Sequence, residues 1–359
     1  MEPNKTLIVH DLFHIMGGGE RLVHTLAAGL GADLLTGHIG PDSFDLSDLP
    51  GEVKNLRALS RIHGIKTWHL ARAFRRHPAI ELPYAAVIYS GVASPLAVHR
   101  YPQAKSIFYC HTPPRFVYDK QAHYMASMNP LKQWAFRRLI QWFQPQYEAA
   151  VANMDVVLTN SHYVQQRIKD SIQQEAQVVY PPCDTGRFTW QGQSDYYLSL
   201  ARHDELKRVD QVIQAFNRMP HKKLVVASGG EQTKQLQHLA QGNPNIRFTG
   251  WLSDAQLREL MGQCIATIYI PTDEDFGMSP VESMSAGKPV ICSDHGGLLE
   301  SVHDQETGIY VADEDLVGQL IEAVGQLDAP RAARMRSACE ARAQGFDTRI
   351  FLQKIKEFL

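Results

Sequence analysis

The 359-residue chain has only five cysteines, no long apolar run and no excess of either charge, and each shortage removes a class of protein. Cys110, Cys183, Cys264, Cys292 and Cys339 are odd in number, widely spaced and mostly embedded in apolar runs. That pattern excludes a disulfide framework and CxxC metal sites and points to a reducing cytoplasm. No stretch of about 18 apolar residues occurs, so no spanning helix is expected. The opening Met-Glu-Pro-Asn-Lys carries no basic segment followed by an apolar one, so secretion by a signal peptide is not expected either. With 36 Lys and Arg against 38 Asp and Glu the net charge is −2, which leaves no global nucleic-acid signal and makes any binding surface local. Short-period repeats and low-complexity tracts are absent too, which removes solenoids.

What the chain does have is length and alternation. At 359 residues it exceeds one ordinary core, so two domains are expected. Apolar runs with parallel-strand character (Thr6 to Phe13, Asp33 to Ile39, Tyr84 to Tyr89, Ser106 to Cys110, Asp155 to Asn160) alternate with helical patterns, and the alternation restarts at Tyr196 to Ala201. Between the halves, Val178 to Asp184 runs into Pro181-Pro182, a stiff extended link. The boundaries expected are 1–181 and 182–345, with a last helical segment over 346–359. The glycine loop after the first strand, Met16-Gly17-Gly18-Gly19-Glu20, has Leu22 where a dinucleotide fingerprint needs its third glycine, so an NAD site is not expected. Two readings fit these glycines: close backbone approach to a ligand, or a tight turn with close helix packing.

The richest stretch runs from Pro271 to Val290. It follows the apolar run Cys264 to Ile270 and brings Glu274 to a strand end, where ligands of open α/β sheets bind. Ser279 reads as a helix N-cap, Pro280 as the first helical residue and Gly287 as the stop. The amides of Phe276, Gly277 and Met278 would then converge at the positive end of a helix, a phosphate site. Ser279-x-x-Glu282 is also a capping box, in which Glu282 merely returns to the Ser279 amide. Past the strand at Tyr196 to Ala201, Arg202 and Lys207 can meet one diphosphate, whereas Arg208 reads as part of a surface turn. His111 ends a strand and reads either as a ligand-facing group or as a satisfied structural histidine.

The Glu-x7-Glu segment Glu274-Asp-Phe-Gly-Met-Ser-Pro-Val-Glu282 resembles the signature of retaining, metal-independent glycosyltransferases of GT-B family 4. The resemblance implies an α/β, GT-B fold: two Rossmann-like domains with parallel sheets facing a central cleft, the first an acceptor-binding domain completed by the C-terminal helix. It implies that Glu274 holds hydroxyls of the donor sugar, Glu282 the ribose, and the amides near Gly277 the diphosphate, whose charge Arg202 and Lys207 neutralise. Gly18 and Gly19 would line the site beneath the sugar, and the chain at Trp251 and Leu252 would touch the nucleobase. His111-Thr-Pro-Pro-Arg-Phe-Val-Tyr resembles a stretch of bacterial mannosyltransferases that build surface polysaccharides, with Phe116 and Tyr118 in place of that stretch's tyrosine and tryptophan. His111 would there bond the donor sugar near C6.

The resemblance implies a hexosyltransferase acting on a glycan or lipid-linked acceptor, with GDP-mannose the favoured donor. A UDP-glucose or UDP-GlcNAc transferase and a silent nucleotide-sugar-binding subunit are the alternatives. No cofactor is expected, and Asp273-Glu-Asp275 is not read as a metal site. Two cationic stretches remain, Lys54 to Arg76 and Lys132 to Phe143. Each fits either a solvated helix face over a core or a peripheral contact with an anionic membrane.

Overall fold

The computed structural model describes residues 5–14, 17–41, 43–58, 66–77, 84–126 and 128–359. Met16 of the glycine loop and Leu59, Arg61, Ile62 and Ile65 of the first cationic stretch lie outside the described residues. The chain divides into two compact units, Met1–Pro181 with Phe351–Leu359, and Pro182–Ile350. No helix among the described residues is long and apolar enough to cross a membrane.

In the first unit, β1 (Thr6–Phe13), α1 (Gly18–Leu30), β2 (Asp33–Ile39), β3 (Val53–Asn55), α2 (Lys66–Arg76), β4 (Ala86–Ser90) and β5 (Lys105–Cys110) lead to α3 (Gln121–Ala126), α4 (Pro130–Ala152), β6 (Val156–Thr159), α5 (His162–Ile172) and β7 (Gln177–Val178). The seven strands form a parallel sheet in the order β3-β2-β1-β4-β5-β6-β7. Both faces are covered, which is why these strands read as continuous apolar runs. Leu7, Val9, Val87, Tyr89 and Phe108 point into one core with α2, α4 and α5. Ile8, Ile88, Ile107 and Tyr109 point into the other, with α1 and with Phe351 and Ile355 from the end of the chain. Phe351 sets its ring edge-on to Tyr109 at 6.1 Å.

The first cationic stretch is not one amphipathic helix. Lys54 lies in β3, Arg57 takes a left-handed turn at φ 53°, and the helix α2 covers Lys66–Arg76. Leu70, Ala71 and Phe74 bury the inner side of α2, as Ile140, Phe143 and Tyr147 bury that of α4. The core-packing reading therefore holds for both inner faces.

The second unit repeats the plan. Its elements are β8 (Tyr196–Ser199), α6 (Val209–Asn217), β9 (Lys223–Ala227), α7 (Thr233–Leu239), β10 (Ile246–Gly250), α8 (Asp254–Gln263), β11 (Thr267–Tyr269), α9 (Met278–Ser285), β12 (Val290–Ser293), β13 (Gly308–Val311), α10 (Leu316–Gln326) and α11 (Ala329–Gln344). A last helix, α12 (Thr348–Lys356), comes after them. The parallel sheet runs β10-β9-β8-β11-β12-β13, with β10 and β13 at its edges. In each sheet the winding reverses between two central neighbours, β1 and β4 or β8 and β11. Such switch points open a crevice at the carboxyl ends of the strands.

Candidate active site

At the switch point of the second unit, β11 ends on Tyr269. Its hydroxyl donates to Glu274 Oε2 at 2.8 Å and accepts from Lys207 Nζ at 3.0 Å, and Lys207 reaches the same carboxylate oxygen at 2.6 Å. The local sequence explains the meeting. A short helical turn, Glu205–Lys207, comes after β8 and drops Lys207 beside the neighbouring strand, while the loop after β11 turns Glu274 back over its own tyrosine. Burial pushes the Tyr269 phenol well above its ordinary pKa, reinforced by the carboxylates of Glu274, Asp204 and Glu282, so it stays a neutral donor. Arg202 is exposed and pairs with Asp204 at 2.9 Å. Among the described residues no contact joins Arg202 to Lys207; the two cations are held by separate carboxylates.

Arg208 is not the free surface charge that the sequence suggests. It adopts φ 53°, and its guanidinium donates to the Ile270 carbonyl at 2.7 Å, the Pro271 carbonyl at 3.2 Å and Ser293 Oγ at 3.0 Å, and it pairs with Asp313. These bonds offset the strained backbone and fasten the end of β11, from which the Glu274 loop departs.

The helix after that loop starts differently from the expectation. α9 begins at Met278 with Gly277 as N-cap at φ 83° and no side-chain cap, so Ser279 is the second helical residue and Pro280 the third. Ser279 is therefore not the N-cap and no capping box forms through it; Glu282 lies 8% exposed on α9. The left-handed turn at Gly277 suits glycine, and a Cβ there would also come 2.6 Å from the Leu298 side chain. The amides of Met278 and Ser279 have no acceptor within the helix, and Pro280 has no N–H. The amides that α9 leaves without an intrahelical acceptor therefore begin at residues 277–279. Phe276 is buried with its ring against Phe346 at 5.4 Å, a packing role. Gly297 approaches closely enough to donate to the Glu274 carbonyl at 2.9 Å.

On the rim of the same sheet Trp251 is 74% exposed, and its indole lies over Gly229, where a Cβ would meet Nε1 at 2.7 Å. Leu252 is half-buried, and Ser253 opens α8 in a capping box with Gln256.

In the first unit the corresponding position holds His111, just past β5. Its Nε2 lies 2.9 Å from Ser90 Oγ, and its ring packs edge-on to Tyr109 at 5.2 Å. Burial, with His10 nearby, lowers its pKa to about 3, so the imidazole is neutral at neutral pH. The Ser90 carbonyl is bonded by His10 Nδ1 at 2.9 Å. Asp11 accepts the amides of Val92, Ala93 and Ser94 at 2.7–3.0 Å, pinning the chain beyond β4. Gly18 and Gly19 are not loop residues: they are the first two residues of α1, behind the N-cap Gly17. A Cβ on Gly19 would stand 3.8 Å from the His111 ring, so the structure brings these two expected site residues together.

Tyr269, Asp204, Ser90 and Asp11 escaped the sequence reading. Tyr269 carried one usable signal, a polar group ending a strand beside a switch point. Tyr269→Phe removes both hydroxyl bonds while keeping the ring over which Lys207 sits at 5.3 Å. Turnover is expected to fall by about 10-fold, equivalent to roughly 1.4 kcal/mol, with a melting temperature lowered by only a few degrees, because two positioning bonds are lost while the packing of the ring is kept. Steady-state kinetics and a thermal melt check both halves, and unchanged turnover overturns the role.

Similarity to known proteins divides along the two halves. Residues 16–187 match the family model for Glycosyltransferase Family 4, and residues 185–344 that for glycosyl transferases group 1. The alpha-1,3/1,6-mannosyltransferase ALG2 of Mus musculus is 27% identical over 237 residues, covering 56% of this chain and 54% of that protein. The chain thus spans about half the length of this curated relative. Sucrose-phosphate synthase from Thermosynechococcus elongatus superposes over 98% of both chains with a TM-score of 0.80 at 17% identity. Anabaena HepE, solved in complex with UDP-glucose, does so over 98% of both chains with a TM-score of 0.72 at 17% identity. At those identities the two solved structures speak for the fold alone, whereas the two family models together run from residue 16 to residue 344, and the chain belongs to the GT-B glycosyltransferases of family 4.

Proposed function

We propose that the chain transfers a hexose, with mannose from GDP-mannose the favoured donor, to a glycan or lipid-linked acceptor in bacterial surface polysaccharide synthesis. The observation that carries the reading is the meeting of Lys207, Tyr269 and Glu274 at the switch point of the second sheet, within the segment that also carries the amides of residues 277–279. The mannosyltransferase named above supports the sugar. We assign Glu274 to hydroxyls of the donor sugar, Glu282 to the ribose, Trp251 and Leu252 to the base, and His111 with Gly18 and Gly19 to the sugar's surroundings.

The reaction balances without a covalent enzyme intermediate. The bond between sugar C1 and the phosphate oxygen breaks, the acceptor oxygen bonds C1 on the same face, and the departing phosphate takes the acceptor's proton. Charge develops on the diphosphate, which Lys207, Arg202 and the helix-end amides neutralise in place of a metal ion. Turnover is therefore expected to persist in EDTA; full loss, restored by adding back a divalent ion, would bring Asp273 and Asp275 into the site. We place the enzyme in the cytoplasm, on the inner face of an anionic membrane, where a lipid-linked acceptor resides.

Donor choice is tested by a thermal-shift panel of GDP, UDP and ADP. A ligand at 100 times its dissociation constant contributes roughly 2.7 kcal/mol. GDP is expected to give the largest shift. A larger UDP shift favours the UDP-sugar alternative, and nucleotide binding without release of diphosphate from any nucleotide sugar favours the silent subunit.

A further inference from the structure

Among the described residues three arginines clustered on one helix stand apart from those that pair with a carboxylate. Arg115, Arg208, Arg336 and Arg349 each pair with a carboxylate, Asp119, Asp313, Glu340 and Asp347 in turn. Arg72, Arg75 and Arg76, on the last turns of α2, have no carboxylate within ion-pair distance among the described residues. They line a pocket of about 280 Å³ with the half-buried Trp68 and Trp142, whose rings lie 6.4 Å apart. The cluster is built rather than loose. Arg72 lies over the Trp68 ring at 5.3 Å, and Arg75 donates to Gln146, whose own amide donates to the Trp142 carbonyl. Positions i, i+3 and i+4 put the three guanidiniums on one side of the helix. The negative end of the helix dipole tempers their repulsion. A concave site with three donor forks, two flat walls and, among the described residues, no carboxylate counter-ion fits a phosphate group.

We propose that this pocket binds the phosphate headgroup of an anionic membrane lipid. Its volume falls just below the usual range of ligand pockets, about 300–1,000 Å³, and suits a headgroup better than a nucleotide. The surroundings favour a lipid over a soluble phosphate. The α4 helix that supplies Trp142 also carries Leu131, 74% exposed, and Trp134, 57% exposed, with Arg138 over the Trp134 ring at 5.7 Å. Trp134, Arg138 and Trp142 recur every four residues, so an exposed apolar and basic strip leads along α4 to the pocket. Aromatic residues interleaved with arginine are what an interface between headgroup and acyl chain selects. The inference deepens the membrane placement proposed above and gives it a defined site.

The test is co-sedimentation of the full chain with vesicles of phosphatidylglycerol and phosphatidylcholine, against vesicles of phosphatidylcholine alone. The triple variant Arg72→Gln, Arg75→Gln, Arg76→Gln is compared with a control removing equal exposed charge elsewhere, Arg218→Gln, Lys234→Gln, Lys354→Gln. Each basic residue at an anionic leaflet contributes roughly five-fold to partitioning, so the triple variant is expected to lose about a hundred-fold and the control less than about three-fold. Equal losses, or none, overturn the pocket. Inorganic phosphate is the second probe: if it raises the melting temperature of wild type but not of the triple variant, while vesicles bind both alike, the ligand is soluble and the lipid assignment falls. Diphosphate release from nucleotide sugar without vesicles is measured on the same samples. Retained release with lost vesicle binding supports the pocket. Absence of release in wild type counts against the transferase reading and leaves the vesicle result to stand by itself.

Discussion

Lys207→Ala is expected to lower turnover by about 10²- to 10³-fold, because in the proposed reaction it removes a cation that meets the charge developing on the departing diphosphate. The structure sharpens the reason. Lys207 and Tyr269 converge on one oxygen of Glu274, so the deletion also leaves that oxygen with the phenol as its donor. Arg202→Ala is expected to cost a similar factor through the same anion. The double variant should lose less than the product of the two, since both cations act on one group. Single-turnover kinetics with a saturating donor separate this from a binding defect: kcat falls more than KM rises. Near-native turnover in both single variants would remove them from the site.

Asp11→Ala is expected to have the largest effect on stability. Asp11 gathers the amides of Val92, Ala93 and Ser94, and none of the three retains a side-chain acceptor once the carboxylate is gone. A buried donor left unsatisfied costs about 1–3 kcal/mol, and removing a buried charged partner about 3–5 kcal/mol in total. At about 2–4 °C per kcal/mol for units of this size, the first unit should melt roughly 6–20 °C lower. The same loss releases the segment after Ser90, so the hydroxyl that meets His111 loses its support. A melt within about 2 °C of wild type would show that water satisfies those amides and that Asp11 holds nothing.

Strand positions were legible in the sequence because buried parallel strands impose continuous apolar runs, and β1 and β2 fall where those runs lie. The Glu274 and Glu282 spacing was legible because it is local. What escaped was set by other forces. Ser279 has the chemistry of a cap, but Gly277 turns left-handed and starts the helix before it, a choice made by the approach of Leu298 and Gly297 from distant sequence. Arg208 looks like solvent-facing charge until β11, β12 and Asp313 close around it. Lys54 to Arg76 reads as one cationic helix, because composition does not register that β3 pairs with β2 before α2 begins. Gly18 and Gly19 sit inside α1 because Gly17 already provides the extended N-cap.

The contribution of Phe351 and Ile355 to the core around Tyr109 bears on biosynthesis. A ribosome releases residues 1–181 long before it reaches residue 351, and at about 5–20 residues per second the delay is roughly ten to thirty seconds. Throughout that interval the first sheet exists without the two side chains that close one of its faces, and Tyr109 lacks the Phe351 ring on that side. A nascent chain with such an open apolar seam is a client for holding chaperones. A fragment ending near Pro181 should therefore aggregate, and supplying the 348–359 segment in trans should rescue its solubility.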